Sequence, residues 1–208
     1  QSNIENYPVF LMTGLLPWIF TQGAMVGGLH SVTGNANLIN KVYFPRELLP
    51  MSAVLAGFVQ FVVGYVLLMV ALLAFGVQLH GTIAFVPLIM LLNLAFALGL
   101  AMVVSVVNVF FRDLQHLVEI GILAWFFLTP IFYTLDVVPN TNFLGLDIHR
   151  WVFSLNPMAT LVTDYRYVLT EGYWPIRHTV VTIAMSGILL GLGWYLMRRF
   201  AHRFAEIV

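Results

Sequence analysis

The chain is 208 residues long, 61% hydrophobic and 9% charged, with nine basic and nine acidic residues and no cysteine. An ordinary soluble domain is about 25% charged, so this composition excludes a soluble fold and reads as an integral membrane protein. Zero net charge offers no footprint for nucleic acid, and the lack of cysteine excludes disulfides and thiolate metal sites.

The chain begins QSNIENYP, with no initiator Met and no basic segment before the first apolar run, so no targeting signal is read there. Five apolar runs follow that reach or approach the roughly 20 residues needed to cross a bilayer: 9–29, 51–77, 83–111, 117–133 and 179–197. None alternates apolar and polar residues as barrel strands do. The fold class is therefore all-α, with about five transmembrane helices.

Between the first two runs lies a polar island, NANLINKVYFPRELLP at 35–50. Leu38, Ile39, Val42 and Tyr43 fall on one helical face, with Asn37, Asn40 and Lys41 on the other. Asn35 or Asn37 is the expected cap. Pro45 ends this short helix, and Pro45 or Pro50 opens the next. Segment 35–49 reads as a surface docking helix; the blander reading is a solvated loop. The turn at 111–116, FRDLQH, offers Asp113 as a cap for the next run, and His116 and Glu119 follow it. Pro130 kinks or ends the run that carries Trp125, Phe126, Phe127, Phe132 and Tyr133.

Segment 134–178 is long and mixed. Asn156 and Pro157 are a good cap and first residue for a helix. Met158, Leu161, Val162, Tyr165 and Leu169 form its apolar stripe, and Gly172 its stop. At about 21 Å it is too short for a ~30 Å core. It either lies flat on the outer leaflet or dips in and returns, with RWVFSL at 150–155 as the other limb. Asp164 and Arg166 steer a passing solute or stay solvated. The tail, RRFAHRFAEIV, anchors the last span through Arg198, Arg199 and Arg203.

With the island cytoplasmic, Lys41, Arg46, Arg112, Arg198, Arg199 and Arg203 face inward and Arg150, Arg166 and Arg177 outward, as the positive-inside rule asks. Five crossings that end inside must start outside, which implies a further span upstream. The sequence holds no phosphate-binding loop and no catalytic constellation, so ATP hydrolysis is not expected of it.

The island resembles the cytoplasmic segment of the membrane subunits of type-two ABC exporters, in the branch that exports O-antigen, capsule or teichoic-acid chains. YPVFLMTGLLPWIF at 7–20, FRDLQHLVEIGILAWFFLTPIFY at 111–133 and NPMATLVTDYRYVLTEG at 156–172 resemble the same family in the same order. The resemblance implies one transmembrane domain over 1–208, lacking the first of six family spans, with a coupling helix in 35–49 and re-entrant helices in an extracytoplasmic segment at 134–178. It implies a permease that moves lipid-linked polysaccharide outward across the bacterial inner membrane. The partners would be a second copy of the permease and two copies of an ATP-binding subunit, which would hold the ATP and magnesium; no cofactor is expected in this chain. Leu38, Ile39, Val42 and Tyr43 would give that subunit apolar contacts, and Asn37, Lys41, Arg46 and Glu47 polar ones. Trp18, Phe20, Trp125, Phe126, Phe127 and Tyr133 are candidates to line the path, since aromatic faces stack on sugar rings. The alternatives are a drug or small-lipid exporter of the same family, and a membrane-embedded sugar transferase using the scattered Asp136, Asp147, His149 and Arg150.

Overall fold

The computed structural model describes residues 7–41, 44–77, 80–111, 113–133, 142–143, 146–147 and 156–207. The elements are α1 (Tyr7–Ser31), a 3-10 turn (Thr33–Asn35), α2 (Ala36–Lys41), α3 (Leu48–Ala74), a 3-10 turn (Gly81–Phe85) and α4 (Val86–Phe110). Then come α5 (Leu114–Leu128), the two-residue strands β1 (Asn142–Phe143) and β2 (Leu146–Asp147), α6 (Pro157–Arg166), a π-helical turn (Tyr167–Glu171) and α7 (Ile176–Ile207). The strands form one small antiparallel ladder, Asn142 facing Asp147, in an otherwise helical chain.

Among the described residues, four helical stretches are long and apolar enough to cross a membrane: Tyr7–Ser31, Leu48–Ala74, Gly81–Phe110 and Thr179–Ala201. The run at 117–133 behaves differently from the others. Its helix, α5, has 15 residues, about 22 Å at 1.5 Å per residue. Thr129 is extended, with φ −97° and ψ 130°, because the ring of a following proline disfavours helical backbone in the residue before it. Pro130 therefore ends α5, and residues 129–133 continue as bends at the end where Arg166 meets Pro130 and Phe10.

The bundle is held by α1, α4 and α7. Their backbones approach closely at small residues, as membrane helices do where packing replaces the hydrophobic drive. A Cβ at Gly28 would sit 2.6 Å from that of Ala101, and one at Gly99 would sit 2.7 Å from the Leu189 backbone. Large apolar side chains point outward along α3 (Val59, Val63, Val66, Leu67, Val70), α5 (Leu117, Ile120, Leu123) and α7 (Val180, Ile183, Ile188). Such a surface suits lipid.

The contacts fix which ends lie together. Asn108 Nδ2 donates to Leu29 O at 2.8 Å, and the Ser31 and Ser105 hydroxyls are 3.0 Å apart. Phe110 packs on Phe200, and Arg198 pairs with Glu47. So the ends of α1, α4 and α7, all of α2 and the start of α3 share one end. Lys41, Arg46, Arg198, Arg199 and Arg203 belong to those segments; it is the basic end. At the opposite end, Phe85 packs on Trp174 and Thr82 donates to Val168 O. Arg166 belongs to that end. Arg112, Arg150 and the proposed limb at 150–155 lie outside the described residues, as does the Arg177 side chain.

Candidate functional site

At the basic end the chain turns tightly between α1 and α3. Asn35 does not cap α2, as the sequence suggests: its Nδ2 donates back to Ser31 O at 2.8 Å and closes the end of α1. The six residues of α2 follow. Asn37, Leu38 and Lys41 are exposed. Ile39 turns the other way, 6% exposed, into a cluster with Val32, Leu49, Met197 and Phe204. The expected shared face of Leu38 and Ile39 is thus divided, because α2 must bury one side against its own bundle. Val42 and Tyr43 lie outside the described residues.

Pro45 sits beyond the end of α2, and Pro50 takes the third position of α3, where its missing N–H removes a donor that would have no helical partner. Arg46 is half-buried. Glu47, expected to face a partner, faces inward: its side chain is 13% exposed and its Oε1 lies 3.6 Å from Arg198 Nε. Asp113 occupies the N-cap position of α5 but makes no capping bond with its side chain. Glu119 accepts from Gln115 Nε2 at 3.2 Å and lies 4.0 Å from His116 Nδ1, both pairs exposed. No group of three or more His, Asp or Glu gathers among the described residues.

At the opposite end, α6 is buried on all sides: Pro157 through Tyr165 are all inaccessible. Asn156 caps it, its Oδ1 accepting from Met158 N at 3.1 Å and Ala159 N at 3.3 Å. The same amide ties α6 to the end of α5. Trp125 Nε1 donates to Oδ1 at 2.9 Å, and Nδ2 donates to Thr129 Oγ1 at 3.2 Å and Leu128 O at 3.3 Å. Gly172, at φ +66° in the left-handed region glycine favours, stops the π-turn.

Arg166 is neither solvated nor facing an open path. Its guanidinium stacks 3.6 Å above the Phe10 ring. It donates to Pro130 O at 2.5 Å, Ile131 O at 2.6 Å and Phe10 O at 3.4 Å. Pro130 and Ile131 follow the break in α5, so the guanidinium supplies donors to carbonyls that no helix serves. Gly14 makes the room: a Cβ there would lie 2.8 Å from Nη2. Burial lowers the Arg166 pKa to about 10, so it stays charged at neutral pH.

Asp164 is fully buried. Its Oδ2 accepts from Thr179 Oγ1 at 2.8 Å, and that hydroxyl accepts from Trp174 Nε1 at 3.1 Å. Burial pushes the carboxyl up to about 7, against the lowering effect of the Thr179 bond. Around α6, three buried polar atoms have no partner among the described residues: Tyr65 Oη, Arg166 Nε and Thr182 Oγ1. Each such atom costs about 1–3 kcal/mol. Tyr65, Asn93, Thr179 and Thr182 were missed from sequence. Their only signal was a polar group inside an apolar run.

The aromatic candidates separate. Trp18 and Phe20 are 3% and 5% exposed. Trp18 packs on Trp125 and Phe126 and donates to Gln22 Oε1 at 3.0 Å; Phe20 stacks on Phe61. Both face protein in this structure. Trp125 and Phe126 are half-buried. Phe127 is 66% exposed, Phe132 is exposed, and half-buried Tyr133 donates to Phe127 O at 3.2 Å. The surface aromatics thus gather where α5 breaks.

The profile of the ABC-2 type transporter family matches residues 1–170 of the chain. The chain is 33% identical over 190 residues to the O-antigen export system permease protein RfbA of Myxococcus xanthus, covering 91% of this chain and 71% of that protein. It is 31% identical over 209 residues to a protein of the same name from Klebsiella pneumoniae, covering 100% of this chain and 78% of that one. A second Klebsiella pneumoniae relative of that name is 29% identical over 213 residues.

Proposed function

This chain belongs to the ABC-2 type transporter family, and we propose from that membership that it is the permease of a system exporting lipid-linked polysaccharide. It is a multi-pass protein of the bacterial inner membrane and a transport subunit, and its family implies an ATP-binding partner. Two permeases and two ATP-binding subunits make up the proposed assembly, with ATP and magnesium held by the latter. No phosphate-binding loop occurs in this sequence, which supports assigning the ATPase chemistry to the partner.

The observation that carries the reading is the form of the basic end. A short helix presents Asn37, Leu38 and Lys41 to water while its other side, through Ile39, is keyed into the bundle. Exposed groups on a braced helix suit a docking element that must pass on force. Arg46 belongs to the same surface. At the opposite end, Phe126, Phe127, Phe132 and Tyr133 offer ring faces for sugar beside the break in α5, supported from behind by Trp18 and Trp125. The names of the relatives, O-antigen export permeases, support a polymer over a drug or small lipid.

Complementation tests this. The full-length permease, expressed with its ATP-binding subunit in cells lacking their own O-antigen permease, restores polysaccharide at the cell surface. Lipid-linked polymer that stays inside despite a correctly inserted complex would refute the polymer assignment.

A further inference from the structure

α7 touches both ends of the molecule. It runs unbroken from Ile176 to Ile207, 32 residues, about 48 Å. At the basic end it meets the docking segment twice. Ile39 of α2 and Leu49 of α3 share a buried cluster with Met197 and Phe204 of α7, and Arg198 faces Glu47. Along its middle it lies against α4 so closely that a Cβ at Gly99 would strike the Leu189 backbone. At the far end, Thr179 in its first turns holds Asp164 of α6 at 2.8 Å. The two contacts differ in kind. The basic-end contact is apolar at its centre, with the Glu47–Arg198 pair at its edge. The far contact is polar: the buried Asp164 carboxylate is held by the Thr179 hydroxyl, with Thr182 Oγ1 beside it lacking a partner among the described residues.

We infer that α7 is the transmission element of the permease: displacement of α2 moves it through Ile39 and Phe204, and its first turns shift α6 through the Thr179–Asp164 bond. Phe204 and Thr179 are then positioning residues, neither touching the ATP-binding subunit nor the cargo. The inference rests on the proposed docking of an ATP-binding subunit at α2. It adds a route that ends at α6, the buried helix beside the aromatic surface. The Glu47–Arg198 pair, with Arg198 66% exposed, contributes alignment more than strength.

The test uses the full-length permease in complex with its ATP-binding subunit, in lipid nanodiscs. Spin labels are placed by Tyr173→Cys and Phe75→Cys, two exposed sites at the far end of a chain without native cysteine. Their separation is read with and without ATP. In the otherwise native complex ATP changes the separation. Phe204→Ala and Thr179→Val each remove the change. Glu47→Arg removes it, and Glu47→Arg with Arg198→Glu restores it in part, which a general loss of folding would not. A full ATP response in Phe204→Ala and in Thr179→Val would overturn the route through α7 while leaving the docking reading intact. No response in the native complex, with the ATP-binding subunit bound, would overturn both.

Discussion

Asn156, Asp164 and Arg166 carry most of the chemistry at the far end, and each departs from its sequence reading in an instructive way. Asn156 was legible as a cap, since an Asn before a Pro opening an apolar stripe has few other uses. Its second role, joining α6 to α5, was not, because nothing local says which helix end will arrive beside it. Asn156→Ala should cost about 1–2 kcal/mol from the cap and more from the lost ties to Trp125 and Thr129, read as a lower melting temperature of the purified permease. Asp164 makes a pH prediction. Its carboxyl is held near 7, above an unfolded value of about 3.9. The folded state then binds more protons than the unfolded one between about pH 4 and 7, so stability falls as pH rises through that window. The penalty is absent below it and complete above it, on the order of 4 kcal/mol. Asp164→Asn should therefore raise the melting temperature more at pH 8 than at pH 5. An equal shift at both would mean that the carboxyl ionises as if exposed.

At the scale of elements, α2 gives the sharpest contrast between neighbouring residues. Leu38 is 43% exposed and Ile39 is 6% exposed. Leu38→Asp should leave stability within about 0.5 kcal/mol of native, as surface changes do, and weaken capture of the ATP-binding subunit. Ile39→Asp places an unpaired charge in the Phe204 cluster and should destabilise by several kcal/mol. Equal effects on both readouts would show that α2 is not braced as described. The pairing of α4 with α7 predicts that Gly99→Val, which must displace the Leu189 backbone, lowers stability by about 1–3 kcal/mol as overpacking does. The run at 117–133 teaches a different lesson. Its composition gives no hint of where α5 ends, yet Pro130 does: a proline disfavours helix at Thr129, and the carbonyls it strands are met by Arg166 from 36 residues away. The break was readable from sequence; its partner was not.

For the whole molecule, composition alone placed the chain in lipid, and run length found the four spanning helices within a few residues of their ends. Charge counting sorted Lys41, Arg46 and the terminal arginines onto one end, and the packing of Asn108 on Leu29 and of Phe110 on Phe200 brings those segments together. What stayed hidden was which polar groups meet inside the bundle. Thr21 donates to Asn93 at 2.9 Å across 72 residues of sequence, and Asp164 finds Thr179 only once α6 folds back into the bundle. Such pairings depend on tertiary register, to which hydrophobic periodicity is blind. The same blindness hid the packing of Trp18 on Trp125 and of Phe20 on Phe61, because an aromatic in an apolar helix reads alike whether it faces lipid, cargo or another helix. The central claim is that an ATP-binding subunit docks at α2 and drives export of a lipid-linked polymer. Its most direct test is ATP-dependent transfer of lipid-linked polysaccharide across proteoliposomes holding the full-length permease and that subunit, with native Leu38 or Leu38→Asp. Transfer with the native chain and its loss in the variant is the predicted result. Transfer undiminished in Leu38→Asp, or none from a native complex that hydrolyses ATP, would contradict it.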